Sequence, residues 1–158
     1  MNSIGKIYID CPEQEKKGAF EVKKELELDV DLEKEFEEIE KNFSQNIEEE
    51  YLVSRGEYLA AKLMANYLGY TFIDAQDVIA FDFDGTIDED KVKEKIEEVL
   101  KFNKKIVVPG FYGAYPDGSI HLLSRGGSDV TGSILAKAAG VDIYENWTDV
   151  SGFLVTDP

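Results

Sequence analysis

From Tyr51 onward the sequence alternates between helical and extended patterns, and this alternation restricts the fold more than any other feature. Apolar residues at helical spacing predict helices over 57–68, 88–102 and 129–139, and short apolar runs predict strands over 70–75, 78–83, 105–109 and 141–147. Turn residues between 111 and 123 predict a β-hairpin. Strands that alternate with helices form a mainly parallel sheet with helices on both faces. The sequence therefore predicts an α/β fold, a three-layer αβα sandwich.

The first 50 residues differ in composition from the rest of the chain. They contain 7 Lys and Arg residues against 16 Asp and Glu residues. A helix is predicted over 13–28, and a second one begins at Leu32 behind Asp31 as its N-cap. The charge of these helices is typical of a solvated face. We therefore expect two segments, an acidic helical segment over 1–50 and a domain over 51–158.

Length and charge limit the classes of function. A chain of 158 residues with 43% hydrophobic content can form one domain around one core. Its formal net charge of −16 argues against binding to nucleic acid or to anionic membranes, because few cations are available to neutralise phosphates. No apolar run approaches the length of a membrane span. Cys11 is the only cysteine, so no disulfide forms within the chain, and a cytoplasmic location is expected.

A glycine-rich loop at 124–132 reads Ser-Arg-Gly-Gly-Ser-Asp-Val-Thr-Gly and leads into the last predicted helix. Glycine lets backbone amides approach a ligand closely, and a helix N-terminus offers unpaired N–H groups and a positive dipole end. Arg125 can hold a carboxylate or a phosphate with two parallel hydrogen bonds. Together these features indicate a site for a small anionic ligand. The alternative is an ordinary helix start capped by Ser128 or Asp129.

Three polar or glycine-rich segments follow predicted strands or the predicted hairpin. They are Gly110–Gly113, the loop at 124–132 and the pair Thr148–Asp149. In open α/β sheets, ligands bind beyond the carboxyl ends of the strands. We therefore expect the three segments to converge on one site.

A second acidic motif, at 82–86, reads Asp-Phe-Asp-Gly-Thr and resembles the first motif of haloacid dehalogenase-type phosphatases. In those enzymes Asp82 would be the nucleophile and Asp84 the general acid, with Mg²⁺ between them. That family also needs a second acidic cluster downstream, and the later acids of this chain are isolated. The favoured interpretation is a turn ahead of the helix that Asp88 caps.

The motifs of the second half resemble those of the aspartokinase catalytic domain, in the amino acid kinase superfamily. The matching segments are Ser54-Arg55-Gly56-Glu57, 108–113 (Val-Pro-Gly-Phe-Tyr-Gly), 124–132, 147–152 (Trp-Thr-Asp-Val-Ser-Gly) and Thr156-Asp157-Pro158. The resemblance implies the amino acid kinase (carbamate kinase-like) fold, incomplete at both ends. It also implies transfer of the ATP γ-phosphate, with Mg²⁺, to the side-chain carboxylate of L-aspartate, an early step of lysine, threonine and methionine synthesis.

The resemblance also implies roles for individual residues. Arg125 would hold the substrate α-carboxylate, and Phe111 would form a wall of the pocket. Glu57, Ser128 and Asp129 would contact the rest of the amino acid, with the two acids recognising its ammonium group. Arg125, Asp129 and Glu57 are the implied catalytic set. The residues implied to contact the nucleotide are Thr148, Asp149 and Leu154, the last standing where many relatives have a tyrosine.

Structural alternatives exist for the same residues. Glu57 is also what a first helical turn favours, and Phe111 is also a suitable core aromatic. Arg125 and Asp129 could form an ion pair that braces the loop.

The sequence departs from the family pattern at its ends. Family members begin with a strand and a Lys-Phe-Gly-Gly-Ser-type loop, and they end in paired regulatory domains that commonly build the dimer. Because those regulatory domains commonly build the dimer, the resemblance implies a homo-oligomeric parent enzyme. Neither the lysine loop nor the regulatory domains match any part of this sequence, so we expect residues 1–158 alone to lack kinase activity. A module that binds the amino acid without turnover is the alternative function.

Overall fold

The computed structural model describes residues 16–44, 49–124 and 126–147. Within these residues the chain forms six helices and four short strands. The helices are α1 (16–25), α2 (Leu32–Ser44), α3 (Glu49–Leu68), α4 (Ala75–Val78), α5 (Glu89–Phe102) and α6 (Gly127–Ala139). The strands are β1 (Thr71–Phe72), β2 (Ile106–Val107), β3 (Tyr112–Ala114) and β4 (Ile120–Leu122). None of the helices in the described part of the chain has the length and apolar character needed to cross a membrane.

The strands form two small sheets. β1 and β2 pair in parallel, with Thr71 opposite Ile106, and β3 and β4 form the predicted antiparallel hairpin. A parallel bridge between Ala80 and Ala114 connects the hairpin to the segment that follows α4. The described residues therefore combine parallel and antiparallel pairing, with more helix than strand.

Three predicted strands, over 70–75, 78–83 and 141–147, differ from the structure. Helix α4 lies where the predicted strands 70–75 and 78–83 meet. The Asp74 side chain caps this helix by accepting a hydrogen bond from Gln76 N at 3.2 Å, and the chain becomes extended again only after Val78. Residues 141–147 are exposed and irregular, although a strand was predicted there. An apolar run becomes a strand only where a neighbour supplies hydrogen-bond partners.

The main core lies between α5, the hairpin and the segment around α4. Its fully buried side chains include Ile79, Phe81, Val92, Ile96 and Tyr112. Val92 and Ile96 belong to the predicted inward face of α5, and the predicted cap Asp88 accepts a hydrogen bond from Lys91 N at 3.0 Å. The apolar spacing and the cap of this helix involve only residues close to one another in sequence, which explains why the prediction was correct.

A second core joins the acidic helices to α3. Leu32 and Phe36 of α2 are buried against Leu59 and Leu63 of α3. The Asp31 carboxylate accepts a hydrogen bond from Lys34 N at 3.1 Å and so caps α2 as predicted. The charged residues of α2 thus form an outer face, while one apolar stripe packs on α3.

Helix α3 begins earlier than predicted, because a buried arginine extends it. The expected start was Glu57, but Ser54 and Arg55 lie inside the helix and are buried. The Arg55 guanidinium stacks on the rings of Tyr51, Tyr58 and Tyr112, at 4.4, 4.5 and 5.5 Å from their centroids.

Hydrogen bonds satisfy this buried polar group. Arg55 donates to Tyr51 O at 3.3 Å and to Ser54 Oγ at 3.0 and 3.2 Å. Tyr112 in turn donates its hydroxyl to Asp74 Oδ1 at 2.7 Å. The network ties α3 to β3 and α4.

The hydroxyl of Tyr112 should make stability fall at alkaline pH. Burial, and next the charge of Asp74, raise the pKa of Tyr112 well above its ordinary value of about 10. Above about pH 10 the unfolded chain loses this proton while the folded chain keeps it, which favours unfolding by about 1.4 kcal/mol per pH unit. In urea titrations from pH 8 to 11, Tyr112→Phe should therefore show a shallower loss of unfolding free energy than the wild type.

The same substitution should lower stability near neutral pH by roughly 1–3 kcal/mol, because Asp74 loses a buried hydrogen bond. Tyr67→Phe is the matched control, since it removes a hydroxyl from an exposed side chain. Parallel alkaline profiles for Tyr112→Phe and the wild type would contradict the assignment.

Candidate active site

The glycine-rich loop ends in a helix start without a side-chain cap. Gly126 is the N-cap of α6 and adopts the left-handed conformation, with φ at 83°. Ser128 and Asp129 lie inside the first turn, so the alternative interpretation, in which one of them caps the helix, is wrong. The first amides of a helix have no intrahelical carbonyl to bind. The amides of Asp129 and Val130 already donate to Gly126 O, at 3.1 and 3.2 Å, so this end of α6 can offer the amides of Gly127 and Ser128 and its positive dipole to an anion.

Two glycines allow the start of α6 to touch the segment before β3. A Cβ on Gly127 would lie 2.7 Å from Leu123 Cβ and 3.3 Å from Phe111 Cα. A Cβ on Gly110 would lie 2.9 Å from Ser128 Oγ and 3.1 Å from Ser128 Cα. Larger residues at these two positions would push the helix away from the loop.

Phe111 has a strained backbone that hydrogen bonds hold in place. Its φ is 72°, in the left-handed region that costs an L-residue roughly 1–2 kcal/mol. Phe111 N donates to Thr131 Oγ1 at 2.9 Å, and Phe111 O accepts a hydrogen bond from Leu123 N at 2.8 Å. Strain of this kind persists only where surrounding contacts enforce it, and it often marks functional sites.

A cavity of about 310 Å³ opens at this junction, and we call it the α6 pocket. Its lining residues are Glu57, Phe111, Leu123, Ser124, Gly126, Gly127, Ser128 and Asp129. The pocket thus brings Glu57 of α3 together with the segment before β3 and the first turn of α6. Four of the predicted substrate-binding residues line it: Glu57, Phe111, Ser128 and Asp129.

The pocket combines opposite electrostatic features. Glu57 and Asp129 supply two solvent-exposed carboxylates, and Asp129 Oδ1 accepts a hydrogen bond from Asn146 Nδ2 at 3.2 Å. The start of α6 supplies backbone donors on the same side as Asp129. Such a site suits a ligand with both a cationic and an anionic group.

Other predicted site residues lie outside the described part of the chain. They are Arg125, Thr148, Asp149 and Leu154. The prediction that the turn at Thr148–Asp149 joins this site is therefore untested.

Sequence reasoning placed Gly110 and Thr131 within segments expected to converge on the site, but it gave neither residue a role of its own. Thr131 is buried and its hydroxyl donates to Gly127 O at 2.8 Å. Its position four residues after Gly127 was a usable signal, because a helical threonine hydroxyl can bond to the carbonyl one turn earlier.

The motif at 82–86 forms a turn, as the favoured interpretation predicted. Phe81 and Ile87 pair across it, and the exposed Asp84 carboxylate accepts hydrogen bonds from Thr86 N at 2.9 Å and Thr86 Oγ1 at 2.7 Å. These bonds hold the pKa of Asp84 below its usual value. Among the residues that the structure describes, no group of three acidic, histidine or cysteine side chains could hold a metal ion.

A model of the amino acid kinase family matches residues 14–158. The chain belongs to the amino acid kinase family. Similar proteins within it are aspartate kinases, which confirms the resemblance that the motifs indicated. Aspartokinase 3 of Bacillus subtilis (strain 168) is 33% identical over 111 residues, 65% of this chain and 24% of that protein.

Solved structures agree with the family assignment. The crystal structure of Clostridium acetobutylicum aspartate kinase matches with a TM-score of 0.85 and 46% identity, over 94% of this chain and 34% of that one. E. coli aspartokinase III, solved in complex with aspartate and ADP, matches with a TM-score of 0.59 and 27% identity, over 65% of this chain and 26% of that one. The fold is thus that of the amino acid kinases, and the chain spans about a quarter to a third of these relatives.

At position 111, a glycine variant should be more stable than an alanine variant, the reverse of the usual order of stability. Both variants lose the ring, but only glycine adopts φ near 72° without strain. We therefore expect Phe111→Gly to be more stable than Phe111→Ala by about 1 kcal/mol in urea unfolding. On the exposed face of α5, Glu98→Ala should instead be more stable than Glu98→Gly by a similar amount. The same order at both sites would show that Phe111 is unstrained.

Proposed function

We propose that this chain carries the amino-acid-binding part of an aspartate kinase, and that the α6 pocket receives L-aspartate. The observation that carries the proposal is the meeting of Glu57, Phe111, Ser128 and Asp129 around one cavity. Family membership and the likeness to an aspartokinase solved with aspartate and ADP support it. The volume of about 310 Å³ is at the small end for ligand sites, as expected for a small amino acid.

Charge complementarity supports aspartate as the ligand. The carboxylates of Glu57 and Asp129 suit an ammonium group, and they disfavour a ligand with negative charge alone. The first turn of α6, with the Ser128 hydroxyl, suits a carboxylate. Arg125 is proposed as the second carboxylate contact, because it immediately precedes the N-cap Gly126.

The proposed reaction transfers the ATP γ-phosphate to the aspartate side chain to give 4-phospho-L-aspartate. That carboxylate is ionised at neutral pH, so it needs no general base. Catalysis then consists of aligning two anionic reactants and neutralising their charge. Within this chain Glu57 and Asp129 would orient the acceptor through its ammonium group, while Arg125 would fix its α-carboxylate.

The nucleotide is assigned to residues beyond the described part. We propose that Thr148, Asp149 and Leu154 contact ATP, following the family motif. The described residues contain no metal-binding cluster, so no Mg²⁺ ligand is assigned among them. Mg²⁺ would accompany the nucleotide, since it is commonly bound through substrate phosphates.

We propose the remaining properties for the parent enzyme. It would be a cytoplasmic homo-oligomer that joins through regulatory domains. Its catalytic domain would include 51–158 and have a three-layer αβα architecture. The parallel pairing of β1 with β2 and the parallel bridge at Ala80 support the architecture.

Calorimetric titration with L-aspartate tests the proposed pocket. Asp129→Asn and Glu57→Gln each remove a charge-assisted contact worth about 1.5–3 kcal/mol, so the Kd for aspartate should rise roughly 10- to 150-fold. Glu98→Gln makes the same charge change on α5 and should leave the Kd unchanged. Succinate, which lacks the ammonium group, should bind far more weakly than aspartate.

Separate outcomes distinguish the alternatives. Aspartate binding without ATP binding would favour a non-catalytic module over a kinase. Equal affinity for aspartate in the wild type and both pocket variants would overturn the α6 pocket as the substrate site. Turnover is measured directly by adding hydroxylamine, which displaces phosphate from the 4-phospho-L-aspartate formed with ATP and gives aspartyl hydroxamate.

A further inference from the structure

We propose that Thr131 is a positioning residue that sets the width of the α6 pocket. Thr131 does not line the pocket; its hydroxyl instead joins two of the segments that do. The identity of the ligand rests on the function proposed above, whereas the coupling between the two segments does not.

One oxygen atom makes both connections. Thr131 Oγ1 accepts the hydrogen bond from Phe111 N at 2.9 Å and donates to Gly127 O at 2.8 Å. Thr131 is 2% exposed, so water cannot readily replace either partner. A hydroxyl has one proton to donate and can accept at the same time, which is what this bridge requires.

The bridge acts on the most constrained residue of the pocket. Phe111 is held at φ 72°, and its amide has Thr131 as its hydrogen-bond partner. Loss of the hydroxyl would leave a polar N–H unsatisfied beside a strained backbone. Rotation of Phe111 toward negative φ would then relieve the backbone strain, and it would move the ring that lines the pocket.

The other connection reaches the opposite wall. Gly127 is buried against Leu123 and Phe111, and its carbonyl is bonded to Thr131 one turn later. The first turn of α6, with Ser128 and Asp129, therefore keeps a fixed distance from Phe111. Thr131 should thus control both affinity and the discrimination between ligands of different length.

Paired substitutions in the full chain separate positioning from simple packing. Thr131→Val keeps the volume of the side chain and removes the hydroxyl, whereas Thr131→Ser keeps the hydroxyl. We expect Thr131→Val to raise the Kd for L-aspartate at least 10-fold and to reduce the preference for L-aspartate over L-glutamate. For Thr131→Ser, both the Kd for L-aspartate and the preference over L-glutamate should remain within about threefold of the wild type, because the hydrogen bonds are retained.

Hydrogen exchange of the Phe111 amide tests the bridge without any ligand. In the wild type the Phe111 amide should be protected from exchange. In Thr131→Val the Phe111 amide should exchange at least 10-fold faster than core amides such as that of Ile96. Val92→Ala, which weakens the α5 core, should lower stability without changing the aspartate Kd.

Each outcome has one meaning. An unprotected Phe111 amide in the wild type would overturn the bridge even if Thr131→Val fails to fold. Aspartate affinity in Thr131→Val equal to that of the wild type would overturn the positioning role while the proposed function stands. Failure of the wild type to bind aspartate would count against the proposed function, and the exchange data would still decide the bridge.

Discussion

The contact between the first turn of α6 and the backbone of Gly110 and Phe111 is the constraint on which the site depends. Two residues without side chains, Gly110 and Gly127, make the approach possible, and one buried hydroxyl, on Thr131, secures it. The pocket exists because the helix start and the loop meet at this distance. A helix start alone would offer amides, but without Phe111 and Glu57 it would have no walls.

A buried arginine holds the third wall. Glu57 lies two residues after Arg55 on α3, and Arg55 stacks on three tyrosines, one of which is Tyr112, next to Phe111. A buried guanidinium is costly unless aromatic faces and hydrogen bonds replace its hydration. Here both do. The position of Glu57 relative to Phe111 therefore rests on a polar network rather than on aliphatic packing alone.

Sequence reasoning succeeded where the determining interactions are local. The starts of α2 and α5 follow from Asp31 and Asp88, whose side chains cap amides three residues away. The hairpin follows from turn residues between its strands. The start of α3 could not be read in the same way, because Tyr112, distant in sequence, contributes to the burial of Arg55.

The sequence by itself determined the helices with regular apolar faces, the family, and four residues of the pocket. These depend on side-chain spacing and on motifs within a few residues of one another. Only the tertiary structure decided that Gly126 caps α6, that Phe111 is left-handed, and that Thr131 bridges Phe111 and Gly127. Each of these depends on how closely the backbones of separate segments approach, and that distance is set by packing across the core.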